Sequence, residues 1–130
     1  MRELGDLTEQ EHRLLAAYVQ AVADKVFLLG DSMHAFMYDE LGKIGFPMDD
    51  VSLHPHAYHL ADSMQNMLSN NPDKSIILFK GSQNTIFMEE AVKKLLLDRK
   101  DHETLPRQSD RRMRQKNYYF KKKIYESKNT

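Results

Sequence analysis

The chain contains no cysteine and no long apolar run. Without cysteine it forms no disulfide bond and no thiolate metal site, and this composition fits a cytoplasmic protein. No stretch approaches the roughly 20 apolar residues that a membrane-spanning helix needs. Arg2 and Glu3 follow Met1 without a hydrophobic segment behind them, so we expect no secretion signal. We therefore expect a cytoplasmic protein with no membrane partner.

The chain also has no net charge, but its charges are unevenly distributed. From Arg99 to the end, eleven Lys and Arg stand against four Asp and Glu, a charge of +7, which leaves −7 on residues 1–98. A basic tail on an acidic body indicates either that the tail docks on the body or that it meets an anionic partner.

Apolar periodicity predicts alternating helices and strands over the first hundred residues. Thr8 and Glu11 have the spacing of a capping box that starts the first helix. Within that helix, helical spacing predicts a buried face of Leu14, Leu15, Tyr18, Val19 and Val22. Ser75–Lys80 has the composition of a strand buried on both faces. Helices are expected at 8–23, 32–43, 55–69 and 85–97, and strands at 26–29, 51–53 and 75–80.

This order predicts an α/β fold, namely a three-layer Rossmann-like domain with a mainly parallel sheet. The helix at 8–23 precedes any strand, so we expect the sheet to lack its first strand. We place this domain at 1–100 and a linker with a basic, aromatic-bearing helical tail at 101–130. The tail helix is expected from about Ser109 to Tyr125, packed on the body through Met113, Tyr118 or Phe120.

Two further clusters have the residue types of a reactive site. Gly30-Asp31-Ser32 resembles the nucleophile block of GDS-type serine esterases, but the D-x-x-H motif that this family carries near its C-terminus does not occur there, and Ser32 is better interpreted as a helix cap. His54, His56 and His59 lie within six residues. We interpret them as a solvated helix start and predict no metal site.

The tail places Tyr118, Tyr119 and Phe120 among basic residues. Cations on phosphates and aromatic rings on bases would suit single-stranded nucleic acid. An amphipathic helix whose aromatic side chains pack on the domain explains the same pattern, and we favour that interpretation.

Two distant segments resemble motifs of the Mur ligases. Met1–Gly5, followed by an acidic helix start with His12, is similar to the middle of the family's G-D-M-x-E-L-G…H segment. Lys80-Gly81-Ser82, followed by Met88–Val92, is similar to the K-G-S-R…M-E-x-V segment. Among Mur ligases the combination is most similar to those that add D-alanyl-D-alanine to a UDP-muramoyl-tripeptide. Gln83 stands where the family has arginine, which weakens any inference of an arginine-held carboxylate.

The resemblance implies the C-terminal, substrate-binding and closing domain of an ATP-dependent amide ligase of peptidoglycan precursor synthesis. Its partners would be upstream ligase domains, a UDP-muramoyl peptide, and an amino acid or dipeptide. ATP and Mg²⁺ would be bound by the complete enzyme. This chain has no G-x-x-x-x-G-K-[ST] loop, so we expect it to be inactive alone.

The resemblance also implies site residues. Lys80, Gly81, Ser82, Gln83 and Asn84 would bind substrate, and no catalytic residue is assigned. Glu3 and His12, which carry over from the first motif, are taken as candidates to face the domain cleft.

Two other functions stay open at this point. The chain could be a separate α/β binding module whose tail grips an anion such as single-stranded nucleic acid, or a hydrolase that uses Ser32.

Overall fold

Helices dominate the structure, a computed structural model that describes residues 4–70, 75–81 and 86–128. The chain divides into two units, Met1–His54 and Pro55–Thr130. The fold is mixed α/β, and the sheet found in the described ranges has two parallel strands. No helix in those ranges is long and apolar enough to cross a membrane. The predicted domain boundary at residue 100 stays a prediction.

The first unit is built around a β-α-β arrangement. Its two strands pair in parallel, with Val26 opposite Val51 and Leu29 opposite His54. A positive φ of 101° at Gly30 ends the first strand, a conformation that glycine adopts without strain. The elements are α1 (Thr8–Gln20), β1 (Val26–Leu29), a π-helical turn (Met33–Tyr38) that continues into α2 (Asp39–Lys43), and β2 (Val51–His54).

The predicted strands at 26–29 and 51–53 are confirmed, and so are the helices that flank them. The core of this unit joins α1 to the sheet and to the segment between the strands. Its buried members are Ala16, Val26, Leu28, Met37, Leu41, Phe46 and Val51.

Three local predictions in this unit are wrong. Leu14, Tyr18 and Val22 of the predicted buried face are exposed, because α1 turns His12 and Ala16 inward instead. The capping box does not form, since Thr8 continues from a 3₁₀ turn in helical conformation and donates its hydroxyl to Gly5 O at 2.6 Å. Ser32 makes no side-chain capping bond.

The described part of the second unit contains three α-helices. The helix α3 packs against α4. A 3₁₀ turn at Arg99–Thr104 is capped by Asp98, whose carboxylate accepts the Lys100 N–H at 2.9 Å. The helices are α3 (Ala57–Asn70), α4 (Met88–Leu95) and α5 (Asp110–Lys128), so the predicted helices, including that of the tail, are confirmed in kind.

The predicted strand at Ser75–Lys80 is wrong. The segment forms no regular strand, and the side chains of Ile76 and Leu78 are 102% and 87% exposed. Only Ile77 and Phe79 are half-buried, so the described protein covers one side of the segment. A segment with apolar side chains on both faces forms a central strand only where other elements cover both faces and neighbouring strands satisfy the backbone hydrogen bonds at both edges. The described sheet therefore stays at two strands, and a three-layer Rossmann-like arrangement is not observed.

Candidate functional site

The predicted substrate-binding residues lie just before α4. Lys80 and Gly81 are exposed at the end of the segment 75–81. Ser82, Gln83 and Asn84 lie outside the described residues, as does Glu3 of the predicted cleft-facing pair. The described part of the site is therefore the Lys80–Gly81 end and the start of α4.

Gly81 lies close to the first turn of α4. A Cβ built on Gly81 would come within 3.0 Å of Met88 Cβ and 4.0 Å of Ile86 Cγ2. Met88 Cβ is attached directly to the helix backbone, so it cannot move aside as the end of a flexible side chain would. A side chain at this position would thus press on α4, and the absence of one lets the segment lie against the helix.

His12 does not fit the predicted cleft-facing role. Its side chain is 1% exposed, and its Nδ1 lies 2.6 Å from Thr8 O, one helical turn earlier. Its ring lies 6.3 Å from that of Phe36. His12 therefore belongs to the interior of the first unit.

The first turn of α4 has little local support. Phe87, at the N-cap, has a left-handed φ of 51° and makes no side-chain capping bond. Such a conformation is uncommon for a bulky residue and is retained only where surrounding structure holds it. Glu89 and Glu90 follow within the same turn and are only 5% and 4% exposed. The helical spacing of the apolar residues in this segment predicts that both carboxylates face solvent, and that prediction is wrong.

Two cations from the tail neutralise these carboxylates. Lys116, on α5, is 1% exposed, and its Nζ lies 2.6 Å from Glu90 Oε1 and 3.2 Å from Glu89 Oε1. Arg107 binds Glu89 with two parallel bonds, Nε to Oε1 at 2.9 Å and Nη2 to Oε2 at 3.0 Å. We call these four residues the ion cluster. Removing one member of a buried ion pair typically costs about 3–5 kcal/mol, because the remaining charge stays buried without a partner.

The pKa values around the ion cluster follow its geometry. Burial acts to raise the pKa of Glu89, but the hydrogen bonds from Arg107 and Lys116 outweigh burial, so the pKa lies below its usual value. The hydrogen bond to Glu89 raises the pKa of Arg107. Burial raises the pKa of Tyr58, and the charge of Glu90 and a hydrogen bond with it add to that effect. The cluster therefore keeps Glu89 ionised.

Aromatic side chains hold α5 beside the cluster. Phe120 is 3% exposed and stacks on Tyr58 with ring centroids 4.1 Å apart. Phe87 lies 6.0 Å away. Of the three side chains predicted to dock the tail, Phe120 is buried, Met113 is half-buried, and Tyr118 is 75% exposed. The prediction that the tail helix packs through one of them is confirmed.

Of the three histidines that we predicted to be solvated, His59 is exposed, but His54 and His56 are buried. His56 is 8% exposed, and its Nδ1 accepts the backbone N–H of His59 at 3.2 Å. Burial lowers the pKa of His56, and the nearby His59 lowers it further. His54, at the end of β2, is 2% exposed and shares a hydrogen bond with Ser52 Oγ at 2.8 Å. No group of three or more His, Asp or Glu that could hold a metal ion occurs within residues 4–70, 75–81 and 86–128.

Comparison with known protein families, with curated proteins and with solved structures finds no match for this chain. The Mur ligase resemblance therefore stays a hypothesis that rests on the two motifs.

The ion cluster is the feature that sequence reasoning missed. Glu90 and Lys116 are 26 residues apart, and helical periodicity carries no information about a partner at that distance. The available signal was the charge asymmetry between residues 1–98 and the tail, which indicated docking without naming the residues.

Proposed function

We propose that this chain is the closing domain of an ATP-dependent amide ligase of Mur type, which seats an amino acid or dipeptide for addition to a UDP-muramoyl peptide. The observation that carries the proposal is the order and separation of two motifs, Met1–Gly5 and Lys80–Ser82 with Met88–Val92. The parallel β1–β2 pair with its terminal glycine is compatible with a domain of that kind.

The proposed site uses groups that suit the carboxylate end of an amino substrate. Lys80 supplies a positive charge, and the hydroxyl of Ser82 can donate to a carboxylate. Gly81 offers backbone without a side chain, which permits close approach. Gln83 and Asn84 add amide groups that donate and accept hydrogen bonds. Such a wall would raise the rate by holding the amine near the reacting carbon and by excluding water.

ATP and Mg²⁺ do not fit the residues of this chain. The sequence has no phosphate-binding G-x-x-x-x-G-K-[ST] loop, and the described ranges offer no metal-binding group of three acidic or histidine residues. Under the proposal, both would be bound by the upstream ligase domains, and this chain would only seat the amino component.

The test combines this chain with the upstream ligase domains in one polypeptide. The protein is incubated with ATP, Mg²⁺, a UDP-muramoyl-tripeptide and D-alanyl-D-alanine, and the products are weighed by mass spectrometry. The proposal expects a product heavier than the tripeptide by one dipeptide less one water. The incubation is repeated with single D-amino acids in place of the dipeptide. If neither the dipeptide nor a single D-amino acid is joined to the tripeptide, the proposal is refuted.

A second function has a specific observation behind it. The exposed surface of α5 carries many cations and two tyrosines, Tyr118 and Tyr125, which are 75% and 72% exposed. This surface has the composition of a site for single-stranded nucleic acid, in which cations meet phosphates and rings stack on bases. Its exposed basic residues are Arg111, Arg112, Arg114, Lys121, Lys122 and Lys128.

A further inference from the structure

The ion cluster and the candidate substrate segment meet at one turn of α4. Met88 stands 3.0 Å from the position of a Cβ on Gly81, and Glu89 and Glu90 are the next two residues of the same turn. Whatever fixes Glu89 and Glu90 therefore also fixes the surface on which Gly81 lies.

That turn depends on the tail more than on its own sequence. Its N-cap residue, Phe87, is in a left-handed conformation without a capping bond. A helix of eight residues is short, and short helices owe their stability mainly to packing. The buried Lys116 holds both carboxylates, while Arg107 binds one of them with two bonds.

We propose that Lys116 and Arg107 are positioning residues for the Lys80–Gly81 end of the substrate site. They act through Glu89, Glu90 and the start of α4, and they touch no substrate. The structural part of this inference stands by itself, and only its effect on catalysis rests on the proposed function. In the complete ligase, the tail would set the position of the backbone at Gly81 against the amino substrate.

The first test needs no substrate and uses the full chain. Lys116→Met keeps most of the apolar stem of the side chain but removes its charge. Lys121→Met is the matched control on the exposed side of the same helix. Amide chemical shifts and hydrogen-exchange rates are measured for Gly81 and for the first turn of α4.

We expect Lys116→Met to shift these signals and to raise their exchange rates about a hundredfold or more, whereas Lys121→Met leaves them unchanged. The double variant Glu90→Gln, Lys116→Met leaves one cation, Arg107, and one carboxylate, Glu89, in the ion cluster. It should therefore recover most of the protection from exchange that Lys116→Met loses. If Lys116→Met does not fold, Arg107→Met, which removes the other cation that binds Glu89, supplies the comparison with Lys121→Met. Signals at Gly81 that match between Lys121→Met and the single charge-deleted variant would overturn the inference.

The second test uses the complete ligase and separates the two proposals. We expect Lys116→Met to reduce kcat/KM for the dipeptide about tenfold, with the KM for ATP unchanged and with recovery in the double variant. If the amide signals respond as expected but the unsubstituted ligase shows no turnover with the dipeptide or with single D-amino acids, the proposed function fails and the positioning inference stands. If the unsubstituted ligase is active but the amide signals at Gly81 do not respond, the positioning inference fails and the proposed function stands.

Discussion

We expect the buried side chain of Phe120 to stabilise the packing of α5 in the second unit. The side chain is 3% exposed, stacks on Tyr58 at 4.1 Å, and lies 6.3 Å from the ring of His56. Truncating a buried phenylalanine to alanine costs about 3–5 kcal/mol. That figure includes ring–ring contacts, which are worth about 0.5–1.5 kcal/mol beyond the buried area. Phe120→Ala should therefore lose several kcal/mol of protection in α5.

Native-state hydrogen exchange is the suitable assay, because a chain of two units is not expected to unfold in one step. A loss of 3 kcal/mol corresponds to exchange about a hundredfold faster in the amides of α5 and in the first turn of α4. Tyr118→Ala is the control, since this tyrosine is two residues away and 75% exposed, and exposed substitutions stay within about 0.5 kcal/mol. If α5 exchanges within threefold of the control, the reasoning about how the tail is held is refuted.

Other substitutions test separate parts of the account. Gly81→Ala should lower the free energy of unfolding by about 1 kcal/mol and Gly81→Val by about 1–3 kcal/mol, because a Cβ at this position would lie 3.0 Å from Met88 Cβ. Melting temperatures that are equal for both variants and the unsubstituted chain would contradict this contact. His56 has a folded-state pKa below its usual value of 6.5, so the unfolded chain binds its proton more readily. Stability should thus decline as pH falls from about 6.5 through the folded-state pKa, and thermal melts of His56→Gln between pH 8 and pH 5 should show a shallower decline than the unsubstituted chain. A decline of the same slope in both proteins would refute the assignment to His56. If the exposed surface of α5 binds single-stranded RNA, that binding should weaken steeply as the salt concentration rises, and replacing Lys121–Lys123 with glutamine should abolish it. Fluorescence anisotropy measures the binding, and no detectable binding of the unsubstituted chain at physiological salt would exclude that function.

The elements that the sequence predicted well are those set by local pattern. Val26–Leu29 is a short apolar run that ends in a glycine, and it forms β1 as expected. Helical spacing likewise predicted α3 and α5, and Leu60 and Met64, one helical turn apart on α3, are both buried. In these segments, the residues that decide the structure lie within a few turns of one another.

The predictions that failed depended on partners far along the chain. Ser75–Lys80 has a strand-like composition, but composition does not say whether protein covers both faces, and Ile76 and Leu78 are exposed. Glu89 and Glu90 have the pattern of a solvated helix face. They are buried because Lys116 and Arg107 come from 18 to 27 residues further along the chain.

The candidate site shows the same division. The motif at Lys80–Ser82 could be picked out from the sequence, and so could the helix that follows it. The contact between Gly81 and Met88 could not, because it depends on how the chain returns to α4. His12 was named from its motif, but its burial depends on how α1 packs in the first unit.

The most direct measurement of the central claim is steady-state kinetics of Ser82→Ala in the complete ligase. Removing one hydrogen bond to a charged carboxylate is worth roughly 1.5–3 kcal/mol. The account therefore predicts a fall in kcat/KM for the dipeptide of about ten- to a hundred-fold, with the KM for ATP unchanged and the melting temperature preserved. Dipeptide kinetics that are the same in Ser82→Ala and in the unsubstituted enzyme would contradict the claim that this segment seats the amino substrate.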